Sequence, residues 1–312
     1  MKLSVLILLL SVFLVSAGCS VEPNNQNAPT VRNTPAPSTT TPSASPSPTA
    51  EPSPEMLAGP NAIPQDTRVV VNIPAYRMDI FRDGSLVKTY KVGIGTPEFP
   101  LPTGLRTADT VIFNPTWTVP DEAWAAEMKN VSVGETVEAG DKNNPLGIIK
   151  IPIGLPSLIH GGKSPAKIGK FASHGCVGLT DKQIKDFAMR LAQVAKTEIN
   201  DQQVTSYLSE RTRTREVKLD EEIPVELRYE TIVLEDGKLH IYKDVYDQKT
   251  NTEENLRSVL TAHGVDFETL PAAQKTQLLN ALKSVSKKNE AIVAIPSAQK
   301  GYPAAVELDS GR

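Results

Sequence analysis

Hydrophobic and polar positions divide the chain into an apolar start, a polar stretch and a long remainder with regular periodicity. Met1 and Lys2 precede an apolar run at 3–15 that is typical of a signal peptide and too short for a comfortable membrane span. From about residue 20 to 66 the chain is mostly Pro, Ser, Thr, Asn and Ala. This composition predicts a disordered linker, because such a segment cannot bury enough surface to order itself.

Alternation with a period of two predicts strands in the region that follows. Residues 77–81 and 86–92 alternate around Asp83 and Gly84, a pair typical of a tight hairpin turn. Further strands are predicted at 148–151, 157–160, 225–233 and 238–242. The last two flank a second predicted hairpin turn.

Helical spacing predicts one main helix after position 180. Thr180 and Gln183 have the spacing of a capping box, and apolar residues follow at Ile184, Phe187, Ala188, Leu191 and Val194. Two later runs, one ending at Gly264 and one opening at Pro271, predict a helical tail. Many strands with one main helix predict a mainly β fold resembling a β-sandwich.

The run that holds Cys176 carries the candidate chemistry. His174 and Gly175 precede this cysteine directly, and His160 lies upstream of it. A thiol needs a base to become a good nucleophile, and backbone N–H groups fixed near a glycine can stabilise an oxyanion. The helix predicted to follow would lower the pKa of the thiol through its positive end. These residues favour a cysteine acyl-transfer enzyme, and a buried structural cysteine is the alternative.

The same residues resemble a known signature. His160-Gly161, followed by Ser173-His174-Gly175-Cys176-Val177, resembles the L,D-transpeptidase catalytic domain, the YkuD family that includes the ErfK/YbiS/YcfS/YnhG group. Segments 70–77, 91–97, 102–104 and 114–117 resemble the opening of that domain. The resemblance extends from about Thr67 to about Ala195 and implies the family's β-sandwich fold.

The resemblance also implies a reaction and a role for each residue. Cys176 would attack the carbonyl of the third residue in a peptidoglycan tetrapeptide stem and expel the terminal D-alanine. His160 would be the general base, oriented by the carbonyl of Gly161, and His174 would support the thiolate. Gly175 and Cys176 would donate backbone N–H groups to the oxyanion. The acceptor would be an amine of a second stem, giving a 3→3 cross-link, or an amine of a protein. A hydrolase and a non-catalytic wall-binding lipoprotein are the alternatives.

One position departs from the family pattern. Many members carry arginine or asparagine two residues after the cysteine, where this chain has Gly178. An arginine there can hold a carboxylate through two hydrogen bonds, which a glycine side chain cannot. Either Lys163, Lys167 or Lys170 takes over this role, or substrate choice has changed, or activity is lost. The resemblance implies that Ser173, at a position that is serine or threonine in the family, shapes the loop. We also assign Ser173 and Lys170 to substrate binding.

The N-terminal segment contains a candidate lipidation site. Residues 16–19, Ser-Ala-Gly-Cys, resemble a bacterial lipobox, which predicts that Cys19 is acylated. Ser16 departs from the usual aliphatic residue, and signal cleavage after Ala17 is the alternative. We expect an exported lipoprotein, anchored to a membrane and facing the periplasm or the cell wall.

Composition excludes several other function classes. The formal net charge of −3 and the lack of a glycine-rich phosphate loop give no case for nucleic-acid binding. His160, His174 and Cys176 could ligate zinc together, but no Cys-x-x-Cys or His-Glu-x-x-His pattern accompanies them. We therefore expect neither a metal nor a cofactor.

These patterns predict five regions. They are a signal peptide at 1–18, a lipidated disordered linker at 19–66, a catalytic domain at 67–200, a β-rich extension at 201–250 and a helical tail at 251–312.

Overall fold

Strands that are apolar throughout, or that alternate apolar and polar residues, form an eight-stranded sheet at the centre of the fold. The structure is a computed structural model that describes residues 55–298 and 301–306. The predicted signal peptide, the Cys19 lipidation site and most of the predicted linker lie outside these residues.

The described residues contain fifteen strands, from two to 14 residues long, and five α-helices. The strands are β1 Arg68–Asn72, β2 Arg77–Arg82, β3 Ser85–Lys91, β4 Ile94–Gly95, β5 Gly104–Phe113, β6 Trp117–Thr118, β7 Thr136–Val137, β8 Ile149–Pro152, β9 Leu158–His160, β10 Phe171–Ser173, β11 Val177–Gly178, β12 Arg215–Arg228, β13 Ile232–Glu235, β14 Lys238–Tyr242 and β15 Glu290–Ala294. The helices are α1 Ala123–Ala126, α2 Asp181–Val194, α3 Asp201–Ser209, α4 Glu253–Ala262 and α5 Ala272–Ser284.

The large sheet has the strand order β11-β9-β8-β5-β12-β1-β2-β3. β1 pairs in parallel with β12, and β9 pairs in parallel with β11. All five residues of β1 are buried, as expected for a strand covered on both faces. The apolar side of α2 joins the main core through Ile184, Phe187 and Leu191. The fold is mainly β, which confirms the predicted class.

Local signals in the sequence form as predicted. Asp83 and Gly84 adopt φ values of 48° and 80° between β2 and β3, which confirms the first hairpin. At the start of α2, Gln183 N donates to Thr180 Oγ1 at 3.2 Å, and Thr180 N donates to Gln183 Oε1 at 3.1 Å. The capping box is therefore confirmed.

The end of the predicted linker is ordered. Asn61 is 1% exposed, and its Nδ2 donates to the carbonyl of Ile232 at 3.0 Å. Leu234 N donates back to Asn61 Oδ1 at 2.9 Å. The prediction of a disordered segment up to residue 66 is wrong for these residues, because the asparagine amide caps β13 from across the fold.

The large sheet extends past the predicted boundary at residue 200. β12 lies between β5 and β1, and residues 201–209 form α3 instead of strand. The predicted strand 225–233 is divided between β12 and β13, because the chain leaves the large sheet after Arg228 and enters a second one.

The predicted helical tail also contributes a strand. β15 completes a three-stranded sheet with β13 and β14, and α4 and α5 share its apolar core. Within the part of the chain that the structure describes, no helix is long and apolar enough to cross a membrane.

Candidate active site

Strand pairing brings His160 next to the segment that carries Cys176. β9 ends at His160 and pairs in parallel with β11, so that His160 lies directly beside Gly178. Leu179 N then donates to the carbonyl of His160 at 2.8 Å. Cys176 precedes Gly178 by two residues, so the predicted nucleophile lies in the loop that leads into the strand beside the predicted base.

A tight loop between β10 and β11 holds the cysteine. Gly175 has a φ of +91°, which favours glycine, and its carbonyl accepts from Ser157 Oγ at 2.9 Å. Ser173 Oγ donates to the carbonyl of Cys176 at 2.6 Å and accepts from the N–H of Cys176 at 3.1 Å. The loop is thus fixed by its own hydrogen bonds before a substrate arrives.

These contacts change two of the predicted roles. Ser173 is 7% exposed, so its hydroxyl shapes the loop and is not available as the substrate-binding group that we predicted. The Cys176 N–H, which the resemblance implies for the oxyanion, is engaged by that hydroxyl. The hydrogen bonds of the described residues do not use the N–H of Gly175, which is therefore the available one of the two donors.

The environment of the Cys176 thiol favours its protonated form. Burial raises the pKa of the thiol, opposed by a backbone hydrogen bond from Leu158 and by the positive charge of Lys163. The net shift of this pKa is therefore opposite to the lowering that we predicted, because burial outweighs the contributions that favour the thiolate. The N-terminus of α2 lies instead against the loop after β9, where Gly162 N donates to Asp181 Oδ1 at 2.8 Å.

His160 is a buried, neutral imidazole. It is 3% exposed, and its Nδ1 lies 2.8 Å from the carbonyl of Gly161, the residue that the resemblance implies. Burial, followed by the charge of Lys163, lowers the pKa of His160 to about 3. An Nδ1–H that donates to Gly161 leaves Nε2 as the proton acceptor. Among the described residues, no hydrogen bond joins His160 to the thiol of Cys176.

Gly161 permits the close packing behind His160. A Cβ atom at this position would lie 2.6 Å from Asp181 Oδ1 and 2.8 Å from Ile184 Cγ2. The glycine therefore allows the loop to approach the first turn of α2.

His174 lies on the exposed side of the loop, within a group of aromatic rings. Its imidazole stacks on Trp124 with centroids 3.9 Å apart and an interplanar angle of 2°, and Phe99 meets it edge-on at 5.0 Å. Trp117 stacks behind Trp124 at 6.3 Å. Partial burial, followed by the charge of Lys163, lowers the pKa of His174. Sequence reasoning missed these contacts, because a tryptophan fits a core or a groove equally well.

Lys163, and not Lys170, is the lysine that acts on the site. Lys170 is exposed, and its recorded contact is a backbone one, from Ile94 N to its carbonyl at 3.2 Å. Lys163 is half-buried and influences the pKa of Cys176. The assignment of Lys170 to substrate binding therefore has no support in the geometry.

The far wall of the site depends on a residue with no signal in the sequence. Tyr246 OH donates to the carbonyl of Gly95 at 2.9 Å and accepts from Leu101 N at 3.1 Å. A Cβ atom on Gly95 would lie 2.9 Å from Gly175 N, so the segment that Tyr246 holds packs against the catalytic loop. Burial raises the pKa of Tyr246 to about 12 and keeps this hydroxyl a donor.

A comparison with known protein families matches the region that contains these site residues. Residues 66–201 match the family model of YkuD, described as the L,D-transpeptidase catalytic domain. Residues 66–201 therefore resemble a YkuD domain. This confirms the resemblance predicted from the sequence, and the YkuD domain contains every predicted site residue except Cys19.

Relatives and solved structures resemble part of the chain. Over 139 residues the chain is 30% identical to the "Probable L,D-transpeptidase ErfK/SrfK" of Escherichia coli (strain K12), covering 44% of this chain and 44% of that protein. The chain therefore spans less than half of the length of this curated relative.

Two solved structures give weaker similarities. The NMR structure of the catalytic domain of the E. faecium L,D-transpeptidase has a TM-score of 0.34 at 17% identity, covering 54% of this chain and 100% of that one. An L,D-transpeptidase from Mycobacterium smegmatis has a TM-score of 0.32 at 14% identity, covering 52% and 58%. Similarities of this size do not bear on the roles of individual residues.

Metal ligands do not cluster in the described part of the chain. Within residues 55–298 and 301–306, no group of three or more His, Cys, Asp or Glu side chains is arranged to hold a metal ion.

Proposed function

We propose that this protein is a peptidoglycan L,D-transpeptidase that acts through an acyl-enzyme on Cys176. The observation that carries the proposal is a loop-held thiol beside a strand that ends in a buried, neutral histidine. The YkuD domain and the description of the E. coli relative support the reaction class.

In the acylation step, the thiol of Cys176 gives its proton to Nε2 of His160 as its sulfur attacks the substrate. The sulfur bonds to the carbonyl carbon of the third stem residue, and the resulting oxyanion accepts a hydrogen bond from Gly175 N–H. The C–N bond then breaks, and the terminal D-alanine leaves with the proton from His160. Because His160 is a weak base here, transfer accompanies attack instead of preceding it.

Deacylation reverses these roles. An acceptor amine attacks the thioester carbonyl carbon, and His160 takes its proton. The C–S bond then breaks to release the thiolate of Cys176, which regains the proton from His160. The acceptor is a second stem, giving a 3→3 cross-link, or a protein amine.

Mass spectrometry of muropeptides incubated with the purified full chain tests this proposal. A 3→3 dimer and released D-alanine are expected, and both should be absent with Cys176→Ala, whose loop keeps its Ser157 and Ser173 contacts. A tripeptide without dimers would favour the hydrolase. No change in the muropeptides would sink the catalytic assignment.

We also propose that the enzyme is exported and works in the cell envelope. The apolar run at 3–15 and Cys19 in its lipobox-like context support a lipid anchor. Cys19→Ser should move the protein out of the membrane fraction without changing turnover of soluble muropeptides. Unchanged membrane association would contradict lipidation at Cys19.

A further inference from the structure

The space above Gly178 is filled by the side chain of Lys163. A Cβ atom on Gly178 would lie 2.8 Å from Cγ, 3.3 Å from Cδ and 3.0 Å from Cε of Lys163. The aliphatic stem of the lysine therefore runs along this glycine, which is the sheet neighbour of His160. Lys163 N donates to the carbonyl of Leu179 at 3.0 Å, which ties the base of the side chain to the same strand.

The ammonium of Lys163 stands beside the reacting groups without an anionic partner. Among residues 55–298 and 301–306, no carboxylate forms an ion pair with it, whereas buried Arg68 and Arg77 each contact two. The charge of Lys163 acts on Cys176, His160 and His174, as their shifted pKa values indicate. A half-buried cation without a partner costs free energy that an arriving anion recovers.

We propose that Lys163 binds the free carboxylate of the residue that leaves the acyl donor. This assignment rests on the proposed function, in which the leaving residue is a terminal amino acid whose carboxylate lies next to the scissile amide. Gly178 permits the arrangement, since any larger residue there would displace the lysine stem.

Alkylation of Cys176 tests the anion site without the transpeptidase reaction. Iodoacetate and iodoacetamide lose iodide to the same thiolate, but only iodoacetate carries a carboxylate. The measured quantity is the rate with iodoacetate divided by the rate with iodoacetamide. Both reagents react with the full chain, and mass spectrometry of the peptide that contains Cys176 gives each rate. A change in the thiol pKa cancels in this ratio, whereas loss of a carboxylate-binding cation does not.

Substitutions of neighbouring lysines separate a local site from general charge. Lys163→Met keeps a stem over Gly178 and should lower the ratio about five-fold, the size of a partly exposed ion pair. Lys163→Arg should retain it. Lys167→Met, an equal charge change at an exposed position of the same loop, should leave it unchanged. An equal slowing of both reagents by Lys163→Met, or a matching fall in the ratio with Lys167→Met or Lys170→Met, would overturn the assignment.

Peptide donors test which carboxylate is bound. Wild-type enzyme should prefer a tetrapeptide stem with a free C-terminus to its C-terminal amide, and Lys163→Met should lose this preference mainly through KM. If wild-type enzyme and Lys163→Met prefer the free C-terminus over the amide to the same degree, the assignment is wrong. If the alkylation ratio responds but neither peptide is processed, the proposed reaction fails while the anion site stands.

Discussion

At the scale of single residues, burial sets the protonation of Cys176 and His160, the candidate nucleophile and base. It raises the pKa of the Cys176 thiol and lowers the pKa of His160, so both groups are neutral near pH 7. A preformed thiolate–imidazolium pair is therefore not the resting state. The charge of Lys163 favours the thiolate of Cys176 and disfavours the imidazolium of His160. These two effects oppose each other in the equilibrium between the neutral pair and the ion pair.

The alkylation rate of Cys176 should rise only at alkaline pH. With iodoacetamide, the rate should inflect above about 8.5, the ordinary value for cysteine. Lys163→Met should move the inflection higher, because it removes a charge that favours the thiolate. Mass spectrometry of the Cys176 peptide follows the reaction. An inflection below pH 7 would contradict the neutral resting pair.

His160 should make the fold sensitive to acid. The unfolded chain protonates this histidine below its ordinary value of about 6.5, whereas the folded chain does so at about 3. The unfolded state therefore binds more protons between these values, so stability present above pH 6.5 is lost as the pH falls. The loss amounts to a few kcal/mol, on the order of 1.4 kcal/mol for each pKa unit.

Urea unfolding at several pH values measures this effect. His160→Asn keeps a donor for the Gly161 carbonyl but does not titrate, so its free energy of unfolding should fall less steeply below pH 6.5. Parallel curves for the two proteins would show that His160 does not cause the acid sensitivity.

At the scale of elements, the segment between β5 and β8 covers the exposed side of the catalytic loop. It has a small core of its own that contains Trp117, Val119 and Ala125 and is packed against Trp124. The ring of Trp124 stacks on Trp117 of this core and on the ring of His174. The segment therefore orients a histidine that its own loop leaves exposed.

Trp124→Leu should slow acylation of Cys176 between about two- and ten-fold, the range expected for one lost aromatic stack. The measurement is the acylation rate in a double-mutant cycle with His174→Ala. If Trp124 acts through His174, its substitution should have little further effect in the His174→Ala background. Fully additive losses would contradict this coupling.

At the scale of the whole molecule, buried ion pairs connect the YkuD domain to the strands beyond it. Glu226 on β12 is 1% exposed and pairs with Arg68 at 2.5 Å and with Arg228 at 2.8 Å. Arg77 on β2 reaches Glu235 on β13 at 2.7 Å. The Glu226 pairs lie within the large sheet, whereas the Arg77–Glu235 pair joins this sheet to the three-stranded one. Each buried charge needs its partner in place.

Glu226→Gln should destabilise the fold by about 3–5 kcal/mol, since it leaves two buried guanidinium groups without their shared carboxylate. Lys196→Gln, which removes a charge from an exposed pair with Glu221 at 2.6 Å, should cost about 0–1 kcal/mol. Urea unfolding of both variants provides the comparison. Equal losses would contradict the structural importance of the buried network.

Short-range signals in the sequence predicted their elements well. The Asp83-Gly84 turn and the Thr180–Gln183 capping box both formed as expected, because each depends on backbone geometry and hydrogen bonds within a few residues. The hairpin and the main helix therefore followed from local patterns. So did the position of Cys176 in a loop, through the glycine beside it.

Long-range pairing could not be predicted from these patterns. β12 has exposed residues at many of its first eight positions, which reads as an edge or an extension, yet it lies inside the large sheet between β5 and β1. Its place depends on partners more than a hundred residues away, at Val111 and Thr110 among others. Asn61 was assigned to a linker for the same reason, since its partners lie at Ile232 and Leu234.

By itself the sequence determined the resemblance of residues 66–201 to the YkuD domain, the mainly β class and the identities of the candidate nucleophile and base, because these depend on residue type and local spacing. Tertiary structure alone decided the protonation of Cys176 and His160 and the choice of Lys163 over Lys170. Each of these depends on burial or on the distance between charges, which arises when β9 and β11 pair and the lysine stem packs onto Gly178.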